Sequence, residues 1–390
     1  MTNVVVISAG VAKFGNREAS YRDLITEAGH ACFNATGGAI KPKDIDGFIA
    51  CSVMPERTAV QSHIASLAEE CLGINPSTMS LRLEHMCQSG NAGIRTAYAY
   101  IKAGLCKMVM VVGAEKLQVP VPEEIFLNMS TGLDREWEAC QGVTAPIMFA
   151  MCARTHMRKY GTTREQMAKV AVKNHAHAAK NPYAQFQKGV SLEQVLTAKR
   201  ITTPFGLYDC SPISDGAAAV IITSAERAKD YTDKPVYIIG TGQSVHGLTF
   251  SNHYTDLSHW PPLKQAAESA YKMAQIKPAD IDVAEIHDCF TIAEIITTEE
   301  LGFCAKGEGG PFIEAGQSDY GGQVVVNPRG GLLGCGHPLG ATGVAQTAEI
   351  FWQLRGEAGE RQVNNARIGL THNNSGPTEH LVNIFSTEVV

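Results

Sequence analysis

The sequence predicts an α/β protein made of two homologous halves, each with a mostly parallel sheet covered by helices. The segment IKPKDID at 40–46 recurs as IKPADID at 276–282. Upstream, VVVISAGVAKFG at 4–15 resembles VYIIGTGQSVHG at 236–247, with nearly the same spacing to the recurring segment. A β-branched run, a glycine turn, a helix, Lys-Pro and a second strand therefore occur twice in the same order. The period is far too long for a solenoid, so the pattern indicates duplication.

The elements that flank the recurring segment match in kind. Each copy follows an Ala-rich amphipathic stretch, at 23–35 and at 263–274, which predicts a helix. Each copy precedes an apolar run, GFIAC at 47–51 and VAEIHDC at 283–289, which predicts a strand. Both copies are therefore predicted to be helix-to-strand connections at equivalent corners of the two halves.

An irregular region separates the two sets of repeated elements. It covers about 117–207, opens with VPVPEE, and contains helical patterns at 145–160 and 163–179. We predict that it is an insertion in the first half, 1–232, where it forms a lid or a substrate platform. The second half is then 233–390.

Two histidines in this insertion, His175 and His177 in HAHAAK, raise the question of a metal site. Residues at i and i+2 of a helix do not face the same way, and no acidic or cysteine ligand stands at suitable spacing. The sequence therefore favours surface histidines at these positions, and no metal site is predicted.

Composition excludes several classes of function. The chain has 390 residues, 44% of them hydrophobic, and a net charge of −6, so it can bury a large core and has no basic footprint for nucleic acid. It has no basic, apolar leader and no run of about 18 apolar residues, so neither a signal peptide nor a membrane span is predicted. The eleven cysteines form no CxxC pair and indicate reduced thiols in the cytoplasm.

The first candidate site is EHMCQSGNAG at 84–93. A β-like run at 77–83 ends here and a helix at 91–104 begins, which places Cys87 at a helix N-terminus. The positive end of the helix dipole lowers the pKa of such a thiol and favours the nucleophilic thiolate. The alternative is a buried structural cysteine.

The second candidate site is EIHDCFTIAE at 285–294, directly after the recurring segment. His287, Asp288 and Cys289 stand where a strand meets a helix, and ligands of open α/β sheets gather at such edges. The alternative is an N-cap aspartate beside a core cysteine. Asp288 is predicted to be structural, since aspartate is favoured at helix caps.

The third candidate site is the glycine-rich GGLLGCGHPLGATG at 330–343. Glycines allow a tight loop at a conformational cost, and this loop presents His337 beside the start of a helix. It matches neither GxGxxG nor the P-loop pattern, so a general base or an oxyanion donor is the better interpretation of His337. A twofold relation between the halves would bring Cys87, His287 and His337 into one pocket.

Together with the Cys87 turn, several segments resemble the thiolase superfamily over essentially the whole chain. HDCF at His287 is similar to the sterol-carrier-protein-type and archaeal-type branch. The other matching segments are GHPLGATG at 336–343, SPISDGAAA at 211–219, DREWEA at 134–139, NPYAQF at 181–186 and EELGFCAKGE at 299–308. The resemblance implies a duplicated five-layer αβαβα fold with the insertion as the thiolase loop domain.

The resemblance also implies roles for four residues. Cys87 would attack a β-ketoacyl-CoA or take an acetyl group in the synthetic direction. His337 would accept the thiol proton, and His287 would complete the site for the thioester oxygen. Cys289 would move the proton at the α-carbon. Coenzyme A is then a substrate, and no permanently bound cofactor is expected.

One segment departs from the family pattern. Many thiolases carry their second cysteine in a Cys-x-Gly-Gly loop near the C-terminus, but the matching segment here, LTHNNSGPTEH at 370–380, has no cysteine. The role passes to Cys289, as the HDCF branch implies. The backbone amides of Ser375 or Gly376 are the nominal oxyanion donors.

The acyl group is not specified by the sequence. Relatives make acetoacetyl-CoA or cleave bulky aryl β-ketoacyl-CoAs such as benzoylsuccinyl-CoA. Met86 and Gln88 bracket Cys87 where relatives often have smaller residues, which favours a specialised substrate. His372 and His380 are either structural or adapt the pocket to an unusual acyl group.

Alternatives to a thiolase are a decarboxylating β-ketoacyl synthase, which would not need Cys289, and a non-catalytic scaffold subunit with an altered C-terminal loop. An enzyme of the HMG-CoA synthase type would share the cysteine and the histidine, but it would require a catalytic glutamate and would not have the HDCF motif. The presence of all four site residues argues against the scaffold.

The resemblance implies partners as well. In this fold, sheet edges near the nucleophile turn pair across a twofold axis, so a homodimer is expected. Archaeal-type relatives associate with a small protein that has a zinc ribbon and an OB-fold. The chain has no CxxC zinc site, so such a module would be a separate polypeptide.

Overall fold

The computed structural model describes residues 2–119, 121–253 and 256–389. The strands within them are β1 (Val4–Val11), β2 (Gly47–Cys51), β3 (Met79–Leu83), β4 (Met108–Glu115), β5 (Arg200–Thr202), β6 (Phe205–Gly206), β7 (Gly216–Ser224), β8 (Val236–Val245), β9 (Val283–Glu285), β10 (Val325–Val326), β11 (Ile368–Asn374) and β12 (Glu379–Ser386). The α-helices are α1 (Tyr21–Asn34), α2 (Pro55–Thr58), α3 (Ile64–Leu72), α4 (Ser89–Lys102), α5 (Pro122–Met129), α6 (Ala145–Tyr160), α7 (Arg164–Ala178), α8 (Leu192–Thr197), α9 (Ala225–Ala228), α10 (Phe250–His253), α11 (Pro261–Ala274), α12 (Thr291–Glu300), α13 (Gly309–Glu314), α14 (Gly331–Cys335) and α15 (Leu339–Arg355).

Ten of the strands form one sheet in the order β10-β9-β11-β12-β8-β1-β7-β4-β2-β3. The halves meet where β1 pairs with β8 through Val5–Tyr237 and Val6–Val236. Outward from this junction the order is β1-β7-β4-β2-β3 on one side and β8-β12-β11-β9-β10 on the other. Each side thus reads first, fifth, fourth, second and third strand of its half, so the two halves have the same topology. The predicted duplication is confirmed.

The prediction of mostly parallel sheets is wrong. In the first half β2 pairs in parallel with β3 and β4, but β7 runs antiparallel to both β1 and β4. In the second half β9 is parallel to β10 and β11, and β12 is antiparallel to β11 and β8. The cause is visible in the second half, where β11 and β12 are joined by a short turn, which imposes antiparallel pairing. In the first half the insertion occupies the equivalent connection.

The strands of the two halves lie on either side of a central pair of helices, with further helices outside them. Helices and strands therefore alternate in five layers, as the resemblance implies. α4 and α15 contact each other and strands of both halves, so they form a central layer. α1 packs on the outer side of the first half, and α11 packs on the outer side of the second. The two central helices approach closely at glycines: a Cβ on Gly90 would lie 2.6 Å from the Val344 nitrogen. This close approach brings the N-terminal ends of α4 and α15 together.

The recurring segments form equivalent corners. Pro42–Asp44 and Pro278–Asp280 each form one turn of 3-10 helix. The Lys41 amide donates to the Asp44 carboxylate at 2.8 Å, and the Lys277 amide donates to Asp280 at 2.7 Å. Each corner leads into the second strand of its half.

The insertion lies between β4 and β7 and contains α5 to α8 with the β5–β6 hairpin. The division of the chain at 232 and 233 remains a prediction. Within the described residues, no helix is long and apolar enough to cross a bilayer.

The prediction of surface histidines in HAHAAK is wrong, because both side chains are buried. His177 Nε2 lies 2.8 Å from an Asp319 carboxylate oxygen and Nδ1 lies 3.0 Å from the Asn327 carbonyl. His175 packs against the rings of Phe186 and Tyr208. The cause is tertiary: α7 packs against α12, α13 and α14 of the second half, which His177 contacts, whereas His175 is covered by aromatic rings of the first half itself.

Candidate active site

Cys87 lies in a one-turn 3-10 helix, Met86–Gln88, between β3 and α4. Met86 has a φ of 43°, a left-handed conformation that is uncommon for a residue with a side chain. Hydrogen bonds hold the turn: the Met86 amide donates to the Glu84 carboxylate at 2.6 Å, and the Ser89 hydroxyl donates to the Met86 carbonyl at 2.6 Å. The turn therefore presents the thiol in a fixed position.

His337 lies in the glycine-rich loop between α14 and α15. Its backbone amide donates to the Ser214 hydroxyl at 3.0 Å. Its Nδ1 lies 2.7 Å from the Thr342 hydroxyl, which donates its own proton to the Pro338 carbonyl. The hydroxyl must therefore accept from Nδ1–H, which leaves a lone pair on Nε2. Burial, with a contribution from the charge of Arg329, lowers the pKa of His337 to about 3, so the ring is a neutral base.

His287 lies between β9 and α12 and is fully buried. Its backbone amide donates to His372 Nδ1 at 3.5 Å, and its ring Nδ1 lies 3.3 Å from the Asn373 amide nitrogen. Burial, followed by the charges of His337, His372 and His380, lowers the pKa of His287 well below its usual value. This ring is also neutral.

The structure brings Cys87, His287 and His337 together. The thiol and one ring nitrogen of each histidine all lie within 4.8 Å of one another, and the two rings are 4.9 Å apart at 83°. The Nε2 atoms of both histidines are buried and make no hydrogen bond to the described residues. Both are therefore available to a molecule bound at the thiol.

The Cys87 thiol does not show the lowered pKa that the helix dipole predicts. Burial raises its pKa to about 12, and Cys87 packs against an apolar cluster of Val53, Met54, Leu117 and Leu339. Desolvation of a thiolate outweighs the dipole at this position. Deprotonation of Cys87 therefore requires a base at the moment of reaction.

Cys289 is buried, and Cys87 is one of the groups that affect its pKa. Burial, followed by the charge of Cys87, raises the pKa of Cys289 well above its usual value. Its carbonyl accepts a hydrogen bond from the Ser211 amide at 2.9 Å, which ties it to the segment before β7. Its place in the same pocket as the three residues above remains a prediction.

Asp288 is structural, as predicted, but it does not cap the helix that follows it in the chain. α12 begins without a side-chain cap. The Asp288 carboxylate instead accepts the amides of Leu332 at 2.7 Å and Leu333 at 3.3 Å, in the first turn of α14, and the Asn174 amide at 2.6 Å. It therefore links three segments, one of them in the insertion.

The two nominal oxyanion donors differ in what their amides do. The Ser375 amide donates to the Glu379 carbonyl at 3.0 Å and closes the β11–β12 turn, so it is already in use. Its hydroxyl donates to the His85 carbonyl at 2.7 Å. Gly376 has a φ of 70°, and its amide makes no hydrogen bond within the described part of the chain. Of the pair, Gly376 has the available donor.

Sequence reasoning missed Thr342 and Asn373, which contact the Nδ1 atoms of His337 and His287. Asn373 stands in the segment that matches the Cys-x-Gly-Gly loop, so its position was a usable signal. Thr342 lies inside the GHPLGATG segment. Met129 ends α5 and Ile213 lies in the SPISDGAAA segment, and both pack against the same apolar cluster as Cys87.

Comparisons with known proteins agree with this geometry. Residues 4–226 match the family described as "Thiolase, N-terminal domain", and residues 242–387 match "Thiolase C-terminal domain-like". An acetyl-CoA acetyltransferase of Methanothermobacter thermautotrophicus is 44% identical over 377 residues, which cover 96% of this chain and 97% of that protein. Sterol carrier protein 2 of Bos taurus is 36% identical over 387 residues, 95% of this chain and 69% of that protein.

Solved structures give the same result. The "Ltp2-ChsH2(DUF35) aldolase" superposes with a TM-score of 0.85 at 26% identity, over 100% of this chain and 99% of the other. Human mitochondrial 3-ketoacyl-CoA thiolase has a TM-score of 0.76 at 19% identity, over 99% of both chains, and shows the fold alone. The chain therefore belongs to the thiolase superfamily, in its sterol-carrier-protein-type branch, and is an acyltransferase.

Proposed function

We propose that the protein cleaves a β-ketoacyl-CoA with free coenzyme A, or runs the reverse Claisen condensation, through an acyl group on Cys87. The observation that carries this proposal is the position of the thiol within 4.8 Å of two ring nitrogens, one on each histidine. The Thr342 hydroxyl leaves a lone pair on His337 Nε2, and His287 Nε2 is the candidate donor. A base and a donor thus flank one nucleophile.

In the cleavage direction, His337 Nε2 takes the thiol proton as the sulfur attacks the β-carbonyl. His287 Nε2–H and the Gly376 amide are the candidate donors to the oxygen that becomes negative. The Cα–Cβ bond then breaks, and Cys289 protonates the carbanion, which releases the CoA-bearing fragment, acetyl-CoA when the α-carbon is unsubstituted. The thiol of free CoA next attacks the Cys87 thioester, gives its proton to the Cys289 thiolate and leaves as the shortened acyl-CoA. The Cys87 sulfur takes back the proton held by His337, which restores the enzyme. Covalent catalysis splits one difficult step into two.

The acyl group is the finer part of the proposal. The acetyltransferase relatives support acetoacetyl-CoA as the substrate. Met86 and Met129 pack, as Cys87 does, against one apolar cluster, which supports a larger apolar or aromatic acyl group, since methionine side chains adapt to irregular shapes. A panel of β-ketoacyl-CoAs with free CoA, followed by loss of the enolate absorbance, distinguishes the two.

The test of the nucleophile is Cys87→Ser, with Cys140→Ser as the control because Cys140 is exposed. After incubation with the best acyl-CoA of the panel, we expect intact-protein mass spectrometry to show the added acyl group in the parent and the control only. Acylation of the Cys87→Ser protein at the parent rate would place the nucleophile elsewhere.

A retro-aldol cleavage is the second candidate, because one structural neighbour is named an aldolase. Such a reaction breaks a C–C bond next to a hydroxyl group, needs only a base and an oxyanion site, and consumes no free CoA. The presence of Cys87 between the two histidines favours thiolysis. Cleavage of a β-hydroxyacyl-CoA without free CoA, undiminished in Cys87→Ser, would identify an aldolase.

We further propose a homodimer that binds a separate zinc-ribbon/OB-fold subunit in the cytoplasm. β3 is the terminal strand of the sheet, next to the Cys87 turn, and an edge strand can pair with a second copy. The two-component name of one neighbour supports a partner subunit. Light scattering on the chain, alone and co-expressed with a small zinc protein, measures the molar mass of each species, and a monomer would refute the dimer. Activity is assayed on the same two samples, and equal activity with and without the partner would refute the complex.

A further inference from the structure

The side chain of Asn373 has an orientation that its neighbours determine. Its nitrogen Nδ2 donates to Gln346 Oε1 and, at 3.0 Å, to the His372 carbonyl. Gln346 uses its own nitrogen to donate to the Ile286 carbonyl at 3.2 Å, so its oxygen faces Asn373. Both neighbours of Nδ2 are therefore acceptors, and rotating the Asn373 amide by 180° would place two pairs of oxygens in contact.

This orientation has a consequence for His287. The same Nδ2 group lies 3.3 Å from His287 Nδ1. Both protons of this NH2 group are directed at the Gln346 and His372 oxygens, and an amide nitrogen accepts no hydrogen bond. A proton on Nδ1 would therefore meet no acceptor at Asn373, which favours a lone pair on Nδ1. In a neutral imidazole the single proton then resides on Nε2, which is buried and makes no hydrogen bond to the described residues. One nitrogen of this ring lies within 4.8 Å of the Cys87 thiol, and since Nδ1 faces Asn373, we assign that position to Nε2.

The position of this proton matters because the site has the spacing of a metal centre. Cys87, His287 and His337 offer a sulfur and two nitrogens within 4.8 Å of one another, and three such ligands with an open position are typical of catalytic zinc. A histidine can ligate zinc only through a lone pair. His337 Nε2 has one, whereas His287 Nε2 carries the proton that Asn373 keeps there.

We propose that Asn373 is a positioning residue that holds His287 as the Nε2–H tautomer, so that the ring donates to the substrate oxygen and cannot bind a metal ion. The oxyanion part rests on the proposed function, but the tautomer and the metal part do not. Tautomer control by the partner of the other ring nitrogen is a general property of histidine sites, and here an amide replaces the carboxylate or carbonyl that favours metal binding.

The direct test uses the unmodified protein. Neutron diffraction from a deuterated crystal shows which ring nitrogen of His287 carries deuterium. We expect deuterium on Nε2 and none on Nδ1, with the deuterated amide of Asn373 facing Nδ1. Deuterium on Nδ1 would overturn the proposal, whatever the activity of the protein.

The second test is Asn373→Asp, which replaces the NH2 group with a carboxylate that accepts from Nδ1–H and moves the lone pair to Nε2. We expect zinc affinity, measured by competition with a chelator, to rise about 10- to 100-fold. We expect kcat in metal-free buffer to fall about 10²- to 10³-fold, as for loss of an oxyanion donor. Adding Cys87→Ser to the variant should abolish the gained zinc affinity.

The matched control is Asn374→Asp, which adds the same charge one residue along β11, where the side chain points to the other face of the strand. We expect kcat and zinc affinity within about threefold of the parent. A folded Asn373→Asp protein with parental zinc affinity, or an equal gain in the control, would refute the proposal. If Asn373→Asp does not fold, the neutron result decides. A parent protein that carries deuterium on Nε2 but cleaves no β-ketoacyl-CoA would refute the proposed function alone.

Discussion

At the scale of single residues, the reactivity of Cys87 depends on whether its proton is on the thiol or on the His337 ring. Burial raises the pKa of Cys87 to about 12 and lowers that of His337 to about 3, so a standing thiolate–imidazolium pair is strongly disfavoured in the free enzyme. The thiol loses its proton only when attack on a carbonyl makes the transfer favourable. This protects a soft nucleophile from oxidation and alkylation when no substrate is present.

This leads to a prediction for alkylation of the free enzyme. Because the thiolate fraction of Cys87 rises about tenfold per pH unit below its pKa, we expect its rate of modification by iodoacetamide to increase throughout pH 7 to 10. Peptide mass spectrometry after timed quenching measures the rate, with a small peptide thiol as the reference. A plateau below pH 8 would show instead that the helix dipole lowers the pKa of Cys87.

The sequence pointed to Cys87, His287, Cys289 and His337, because each stands at a strand-to-helix junction or in a glycine loop. It could not provide the proton positions, which depend on Asn373 and on hydrogen bonds between segments far apart in the chain. It also overestimated the effect of the dipole at Cys87, since the apolar cluster that Cys87 packs against comes from segments far apart in the chain.

At the scale of secondary-structure elements, the site depends on how closely α4 and α15 approach. Gly90 and Gly343 stand at the contact: a Cβ on Gly90 would lie 2.6 Å from the Val344 nitrogen, and one on Gly343 would lie 2.4 Å from the Asn91 nitrogen. Both obstacles are backbone atoms and cannot rotate away. The sequence showed the glycines, but only the packing assigns them to a helix contact.

We therefore expect Gly90→Ala to push the two helices apart. Overpacking of this kind costs about 1–3 kcal/mol of folding free energy, and it also separates Cys87 from His337, so kcat should fall more than stability alone explains. Gly189→Ala is the control, because no atom lies within 4 Å of the added Cβ. Urea denaturation and steady-state kinetics measure both effects; parental kcat in a destabilised Gly90→Ala protein would show that the helix contact does not position the site.

At the scale of the whole molecule, the sequence predicted the duplication correctly but did not predict the direction of the strands. The recurring segments identified equivalent corners because their local hydrogen bonds are encoded nearby. The antiparallel position of β7 between β1 and β4 was missed, because apolar runs such as Gly216–Ser224 look alike in parallel and antiparallel buried strands. The burial of His175 and His177 was missed because it depends on residues distant in the chain: Asp319 and Asn327 of the second half contact His177, and the rings of Phe186 and Tyr208 cover His175.

The two halves should fold as one cooperative unit although they share a short strand junction. One core cluster contains Ile49 and Val220 from the first half together with Val344, Ile350 and Phe351 from α15. Removing the second half would expose the apolar surface that α15 covers, at roughly 25 cal/mol per Å². We expect a single calorimetric transition for the full chain, an insoluble 1–232 fragment, and recovery of soluble protein when 1–232 and 233–390 are co-expressed. Two separate transitions, or a soluble and cooperatively folded 1–232 fragment, would show that the central helices do not couple the halves.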